Sequence, residues 1–280
     1  MSERKVAVVT GGSRGIGRGI ALELASEGYD IAFSYREYEE GARDVRALIE
    51  EKGVRCRYYQ IAMENLEDVA RMVDQAHEDL GRIDVMVCNA AKDRRFSILV
   101  ATPEDMDFMT STLYSAQMLS AGAAARHMVK DGIRGSILFI TSVHGQMINT
   151  SDFAYGGMKA AVERSCKSLA LELAPYHIRV NCIAPGAINT RNIDDDTLKY
   201  PYRDIVPLGR RGKVEDIAHA AAFLSSDKAD YITGEIIRID GALALPSIPE
   251  GWAQAYPLDK AFIQRSYEEL QSGEVKSKHV

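Results

Sequence analysis

Tyr155 and Lys159 stand four residues apart in Tyr155-Gly-Gly-Met-Lys159, within a segment of helical period. That spacing puts both side chains on one helix face. A free tyrosine, with a pKa of about 10, is a poor base at neutral pH. A lysine cation beside it favours the phenolate and lowers that pKa. A phenol tuned in this way can exchange a proton with an alcohol or carbonyl oxygen. Ser142 directly follows the apolar run Ser136–Thr141. At the carboxyl end of a strand its hydroxyl would face a ligand and could hold the same oxygen. Asp152 is placed to cap the helix, and Pro175 to stop it. Gly156 and Gly157 weaken the first turns, which suggests that something approaches the backbone closely there.

A second group of residues could supply the other half of such a reaction. Thr10-Gly-Gly-Ser-Arg-Gly-Ile-Gly17 lies between a short apolar run and a helical pattern. Glycines at this place allow a tight turn against a pyrophosphate, and the helix that follows offers free N–H groups. Gly11, Ser13, Arg14, Gly15, Ile16 and Gly17 are therefore candidate cofactor-binding residues. After the second predicted strand, an NAD site usually presents an acid to the ribose hydroxyls. Here Tyr35-Arg36 occupies that place, with no acid before Glu37. A guanidinium suits a 2′-phosphate, so Arg14 and Arg36 favour NADP(H). Hydride exchange with nicotinamide would accompany the proton exchange at Tyr155.

These residues need a scaffold, and the pattern supplies one. Candidate strands are Lys5–Thr10, Asp30–Tyr35, Arg55–Ile61, Ile83–Cys88, Ser136–Thr141, Ile178–Ile183 and Glu235–Ile239. Between them run helical patterns at Gly17–Glu27, Glu40–Lys52, Leu66–Leu80, Glu104–Val129, Phe153–Ala174 and Val214–Ser225. This alternation predicts an α/β fold of the doubly wound Rossmann type, with a parallel sheet covered by helices on both faces. One catalytic domain is expected over residues 1–245, with 246–280 as an extension. Its Trp252, Tyr256 and Phe262 would pack on the body, and its polar end would form a mobile tail. Ala187–Leu208 has no firm period and reads as a lid.

Composition narrows the function class. The net charge is −6, with both signs interspersed, which argues against nucleic acid as a partner. Cys56, Cys88, Cys166 and Cys182 lie far apart, so they read as buried thiols rather than metal ligands. No run approaches the roughly 20 apolar residues of a membrane span. The apolar start at Val6–Val9 is too short for a signal peptide, so a cytoplasmic protein is expected.

With these motifs in order, the chain resembles the short-chain dehydrogenase/reductase family over about residues 4–245. The resemblance rests on Thr10–Gly17, Asn89-Ala-Ala91, Ser142, Tyr155, Lys159 and Asn181-Cys-Ile-Ala-Pro-Gly-Ala-Ile-Asn-Thr190. It extends to Pro207-Leu-Gly-Arg-Arg-Gly and Thr233-Gly-Glu-Ile-Ile-Arg-Ile-Asp-Gly241. It implies a seven-stranded parallel sheet, a homotetramer built on Glu104–Val129 and the Tyr155 helix, and a lysine that also holds the nicotinamide ribose. It implies that Asn89, Ala90 and Ala91 lie by the adenosine side. Pro185, Gly186, Ile188 and Thr190 would flank the nicotinamide. Three departures stand out. Ala91 replaces a glycine. Ala62-Met63 stands where an aspartate usually holds the adenine amine. Thr112, with Ser111 beside it, stands where an asparagine usually holds a relay water, so an altered relay is expected.

The substrate is less legible. Ser142-Val-His-Gly145, Pro185–Thr190 and Asp240–Ser247 resemble the glucose 1-dehydrogenase branch and point to a sugar or polyol. A 3-oxoacyl-carrier-protein reductase and a hydroxysteroid dehydrogenase are alternatives, the latter served by methionines, Phe153 and the aromatic extension. His144 is a candidate hydrogen-bonding group for the substrate or a plain turn former. Arg94 and Arg95 are candidate attractors for an anion, or solvated charges. A non-catalytic NADP(H)-binding regulator on the same fold is the rival from another class.

Overall fold

The computed structural model describes residues 4–94, 96–148, 152–194 and 202–245. Seven strands form one sheet: β1 (Val6–Val9), β2 (Asp30–Tyr35), β3 (Cys56–Gln60), β4 (Val85–Cys88), β5 (Ser136–Ile140), β6 (Arg179–Pro185) and β7 (Ile236–Ile239). Their order is β3-β2-β1-β4-β5-β6-β7, and every neighbouring pair is parallel. All of β1, β2, β4 and β5 is buried. Strands covered on both faces need near-continuous apolar sequence, which Val6-Ala-Val-Val9 supplies. The period of two then divides that strand between two cores. Ala7 and Val9 join one cluster with Ile20, Leu24, Val45 and Ile217. Val6 and Val8 join the other with Val73, Leu80, Met128 and Val162.

The helices follow from that division. α1 (Gly15–Ser26), α2 (Glu39–Glu50) and α7 (Val214–Ser225) cover the first face. α3 (Leu66–Leu80), α5 (Ala116–Lys130) and α6 (Phe153–Leu173) cover the second. Strand order reverses between β1 and β4, which opens a crevice beyond their carboxyl ends. The glycine-rich turn and Asn89 stand at that crevice.

One expected helix differs. Glu104–Val129 is helical throughout but is not a single α-helix. α4 (Pro103–Thr110) gives way to a π-helical turn over Ser111–Ser115 before α5 begins. The Thr112 hydroxyl donates back to the Phe108 carbonyl at 2.8 Å, four residues earlier. Such back-bonding competes with the α ladder, and the hydroxyl-rich run Thr110-Ser-Thr112 favours the helix weakly. Ala187–Leu208 contains only a bridge from Ile188 to Gly212 and a short turn at Tyr202–Asp204 among its described residues. The extension 246–280, with Trp252, Tyr256 and Phe262, lies outside the described residues, as does Arg95. Among the described residues, no helix is long and apolar enough to cross a membrane.

Candidate active site

β5 and α6 bring the first group of residues together. Lys159 is only 2% exposed, and its ammonium donates to the carbonyl of Ile140, the last residue of β5, at 2.8 Å. The same ammonium lies 5.7 Å from the centre of the Tyr155 ring. Two residues past Ile140, the buried Ser142 begins a short turn, Val143–Gly145, and its hydroxyl accepts from the His144 N–H at 3.2 Å. The His144 ring packs edge to face on Tyr155, with 5.9 Å between centroids. Ser142, His144, Tyr155 and Lys159 therefore share one corner of the sheet edge.

Burial sets the electrostatics of that corner. Loss of water pulls the Lys159 pKa down from 10.5 to about 8, and the nearby Cys182, Glu163 and Asp93 act against the shift. Glu163, one helical turn beyond Lys159, is pushed up by burial, opposed chiefly by hydrogen bonds from Thr141 and Gln146. Thr141 donates to Glu163 at 3.1 Å and reaches the Ile183 carbonyl at 3.2 Å, tying β5, α6 and β6 at one point.

The reading of α6 needs two corrections. Asp152 occupies the N-cap position, but its side chain does not cap. Its Oδ2 instead meets His144 Nδ1 at 2.5 Å, because the buried carboxylate faces the Val143–Gly145 turn rather than the helix N–H groups. Of the two glycines, only Gly156 answers a close approach. A Cβ there would lie 2.7 Å from the His144 carbonyl oxygen, whereas one at Gly157 would meet nothing within 4 Å among the described residues.

The second group gathers at the β1–β4 crevice. A Cβ at Gly17 would stand 2.2 Å from the Gly11 carbonyl oxygen, so only glycine fits. Ser34 braces the turn, its hydroxyl accepting from Gly11 N at 3.1 Å and its carbonyl from Gly12 N at 2.8 Å. The Thr10 hydroxyl accepts from the N–H groups of Asn89 and Ala90 at 2.9 and 3.0 Å. The Asn89 amide donates to the Thr10 carbonyl at 2.9 Å and reaches that of Gly11 at 3.3 Å. α1 starts with Arg14 at its N-cap, without a side-chain cap and without an acid in its first turn. Its free N–H groups and positive end thus fit an anion such as a pyrophosphate. Arg14 is exposed, and Ser13 is buried beneath the turn. Thr190, beyond β6, would lie 3.5 Å from a Cβ at Gly15, so the segment carrying Pro185, Gly186, Ile188 and Thr190 closes over the same crevice.

The remaining candidates are distributed around these two groups. Tyr35 is buried at the end of β2, and Met63 is buried beyond β3. The Arg36 guanidinium bonds Glu64 at 2.5 Å and Glu37 at 3.2 Å. Ala90 and Ala91 follow β4, with Ala90 partly buried and Ala91 exposed. Arg94 stacks on Phe108 at 3.7 Å and pairs with Asp105 at 3.4 Å. Thr112 is wholly buried in the π turn, its hydroxyl bonded to Phe108. Beside Tyr155, the buried Met109, Leu113 and Ala154 pack with Phe96, Phe108 and Met158 into an apolar wall. Thr10, Ser34 and Asp152 carry positioning bonds that sequence reasoning missed or misread, since each depends on a partner brought in by the fold.

A family model described as enoyl-(acyl carrier protein) reductase matches residues 11–243. The chain is 37% identical over 245 residues to the 3-oxoacyl-[acyl-carrier-protein] reductase FabG of Staphylococcus aureus, covering 87% of this chain and 99% of the relative. It is 32% identical over 249 residues to glucose 1-dehydrogenase 2 of Bacillus subtilis, covering 86% and 95%. The crystal structure of acetoin dehydrogenase YohF from Salmonella typhimurium superposes with a TM-score of 0.83 at 34% identity, covering 88% of this chain and 98% of that one.

The Lys159 shift carries a stability prediction. Folded, Lys159 binds its proton less tightly than unfolded, so the buried charge opposes folding below about pH 8. That cost is relieved as pH rises from about 8 toward 10.5. In urea unfolding of the protein without cofactor, the wild type should gain stability relative to Lys159→Met across this window. A difference that stays flat or falls would contradict the assignment.

Proposed function

The chain belongs to the short-chain dehydrogenase/reductase family, and from that premise we propose that it interconverts a secondary alcohol and a ketone with NADP(H), Tyr155 acting as general acid and base. The observation that carries this reading is the buried Lys159 ammonium, anchored on the Ile140 carbonyl and set against the Tyr155 ring. A cation there stabilises the phenolate form of Tyr155. In the reductive direction the Ser142 hydroxyl donates to the carbonyl oxygen, and the Tyr155 phenol transfers its proton to it. In the oxidative direction the phenolate removes that proton. Nicotinamide, when bound, supplies or accepts the hydride. Gly11–Gly17 and the α1 N-terminus would hold the pyrophosphate, and Lys159 would also hold ribose hydroxyls. Pro185, Gly186, Ile188 and Thr190 would flank the nicotinamide ring. Thr112 keeps lone pairs for a relay water but directs its proton to Phe108, which supports an altered relay.

NADP(H) rather than NAD(H) is supported by Arg14 above all. A cation at a helix N-terminus opposes the dipole, and among the described residues no acid pairs with it, so a bound phosphate would relieve both. Arg36 is already held by Glu64 and Glu37 and would serve as the second contact. The apolar wall beside Tyr155 supports a ketone with a hydrocarbon portion over a sugar hydroxylated along its whole length. Among the relatives' substrates, acetoin suits that wall better than glucose.

A homotetramer is supported by an apolar groove of about 410 Å³ between α5 and α6, lined by Met118, Ala121, Leu169 and Leu173 among others. Exposed Leu171 lies on the same helix. Unpaired, such a surface is a liability for a soluble protein.

Purified protein should oxidise NADPH in the presence of small ketones, with kcat/KM for NADPH at least about tenfold above that for NADH. Arg14→Ala should erase most of that preference, and Tyr155→Phe should lower turnover by at least about 10²-fold. A preference for NADH would overturn the cofactor reading. NADPH binding without consumption of any carbonyl would favour a non-catalytic regulator. Light scattering at micromolar concentration should give four times the 30.9 kDa chain mass, and a monomer would refute the tetramer.

A further inference from the structure

His144 and Asp152 form a pair that the proton transfer proposed above does not use. Asp152 is 4% exposed, and one of its oxygens, Oδ1, has no hydrogen-bond partner among the described residues. The other meets His144 Nδ1 at 2.5 Å. A buried carboxylate with so little compensation is held for a reason other than capping, since it gives the helix no cap. Its effect falls on the imidazole. An ionised carboxylate only accepts, so Nδ1 must carry the proton it shares with Asp152. In the neutral ring the remaining nitrogen, Nε2, is then an acceptor. No described residue bonds to it. The ring is held on two sides, by Asp152 at Nδ1 and by Tyr155 in edge-to-face contact, while the backbone N–H of His144 donates to the Ser142 hydroxyl. The absence of a side chain at Gly156 lets the His144 carbonyl come close enough for this arrangement, since a Cβ there would meet it at 2.7 Å.

We infer that Asp152 is a positioning residue that presents His144 Nε2 as the acceptor for a hydroxyl on the carbon next to the reacting carbonyl. This rests on the reading that Ser142 and Tyr155 hold the reacting oxygen. The substrate class is then an α-hydroxyketone, or in the oxidative direction a vicinal diol. Ser142 and Tyr155 donate to the carbonyl oxygen. Two positions along the chain from Ser142, and in ring contact with Tyr155, His144 accepts from the neighbouring hydroxyl. The hydrocarbon remainder is served by the partly buried Phe96 and Met158 of the apolar cluster beside Tyr155. His144 moves neither the proton nor the hydride of the reaction.

The test uses two ketones of one shape, 1-hydroxypropan-2-one and butan-2-one, in which a hydroxyl replaces a methyl group. The ratio of their kcat/KM values is compared between variants, so that their intrinsic reactivities cancel. His144→Leu should lower the hydroxyketone-to-ketone ratio at least about tenfold, the size of one hydrogen bond lost at a built site. Asp152→Ala should lower it partway, mainly through KM for the hydroxyketone. The hydroxyketone-specific KM is the readout that a merely structural tie would not move, and nitrogen NMR of the full-length protein checks the tautomer directly. The neutral His144 should carry its proton on Nδ1 in the wild type and on Nε2 in Asp152→Ala. An unchanged ratio in His144→Leu, or an Nε2 proton in the wild type, would overturn the inference. If butan-2-one is reduced in a Tyr155-dependent way while the ratio ignores His144, the oxidoreductase reading stands and this one falls. If no carbonyl is consumed at all, both fall. If only larger ketones are consumed, the inference falls alone.

Discussion

A lysine ammonium removed from water must be given an acceptor, and Lys159 finds it in the carbonyl of Ile140 at 2.8 Å. That bond fixes the register of α6 against the end of β5. Ser142 comes two residues after Ile140 on the strand side, and Tyr155 one turn before Lys159 on the helix side. Positioning one cation therefore positions the hydroxyl and the phenol together. Burial that draws the Lys159 pKa down to about 8 still leaves it charged at neutral pH, where a cation is needed to stabilise a phenolate. Thr141 and Glu163 stiffen the junction by linking the same strand end to α6 and β6.

The other half of the site depends on the sheet's reversal between β1 and β4. A crevice at that place needs walls that do not collapse, and the bonds of Thr10 and Asn89 supply them from both strands. Their donors and acceptors are spent inside the protein, which leaves the α1 N–H groups as the free polar surface of the turn. The two halves are joined by the segment after β6, which places Thr190 against Gly15.

Much of this was legible in the chain. Strands buried on both faces leave near-continuous apolar runs, so Val6–Val9 and Ser136–Ile140 announce themselves, with ends uncertain by one or two residues. The Tyr155–Lys159 spacing and the glycine turn are local signals, carried by period and by backbone freedom. What escaped depends on contacts between distant residues or on a choice among partners. Asp152 could cap a helix or hold a histidine, and only the placement of the Val143–Gly145 turn decides. The pairing of Arg36 with Glu64 joins residues on different strand ends. Gly156 and Gly157 are identical as letters, yet only one faces a neighbouring carbonyl. The π turn at Ser111–Ser115 coincides with a hydroxyl that bonds back to the backbone, a local balance that hydrophobic period does not report.

The central claim is that the corner of Ser142, Tyr155 and Lys159 transfers a hydride and a proton to one carbonyl. The most direct measurement is a single turnover with nicotinamide cofactor carrying deuterium at both C4 positions of the reduced ring, followed by mass analysis of the alcohol. The account predicts one deuterium on the carbinol carbon of the wild-type product, and unreacted ketone with Tyr155→Phe although that variant still binds the cofactor. Alcohol formed without deuterium, or full deuterium transfer in Tyr155→Phe at the wild-type rate, would contradict it.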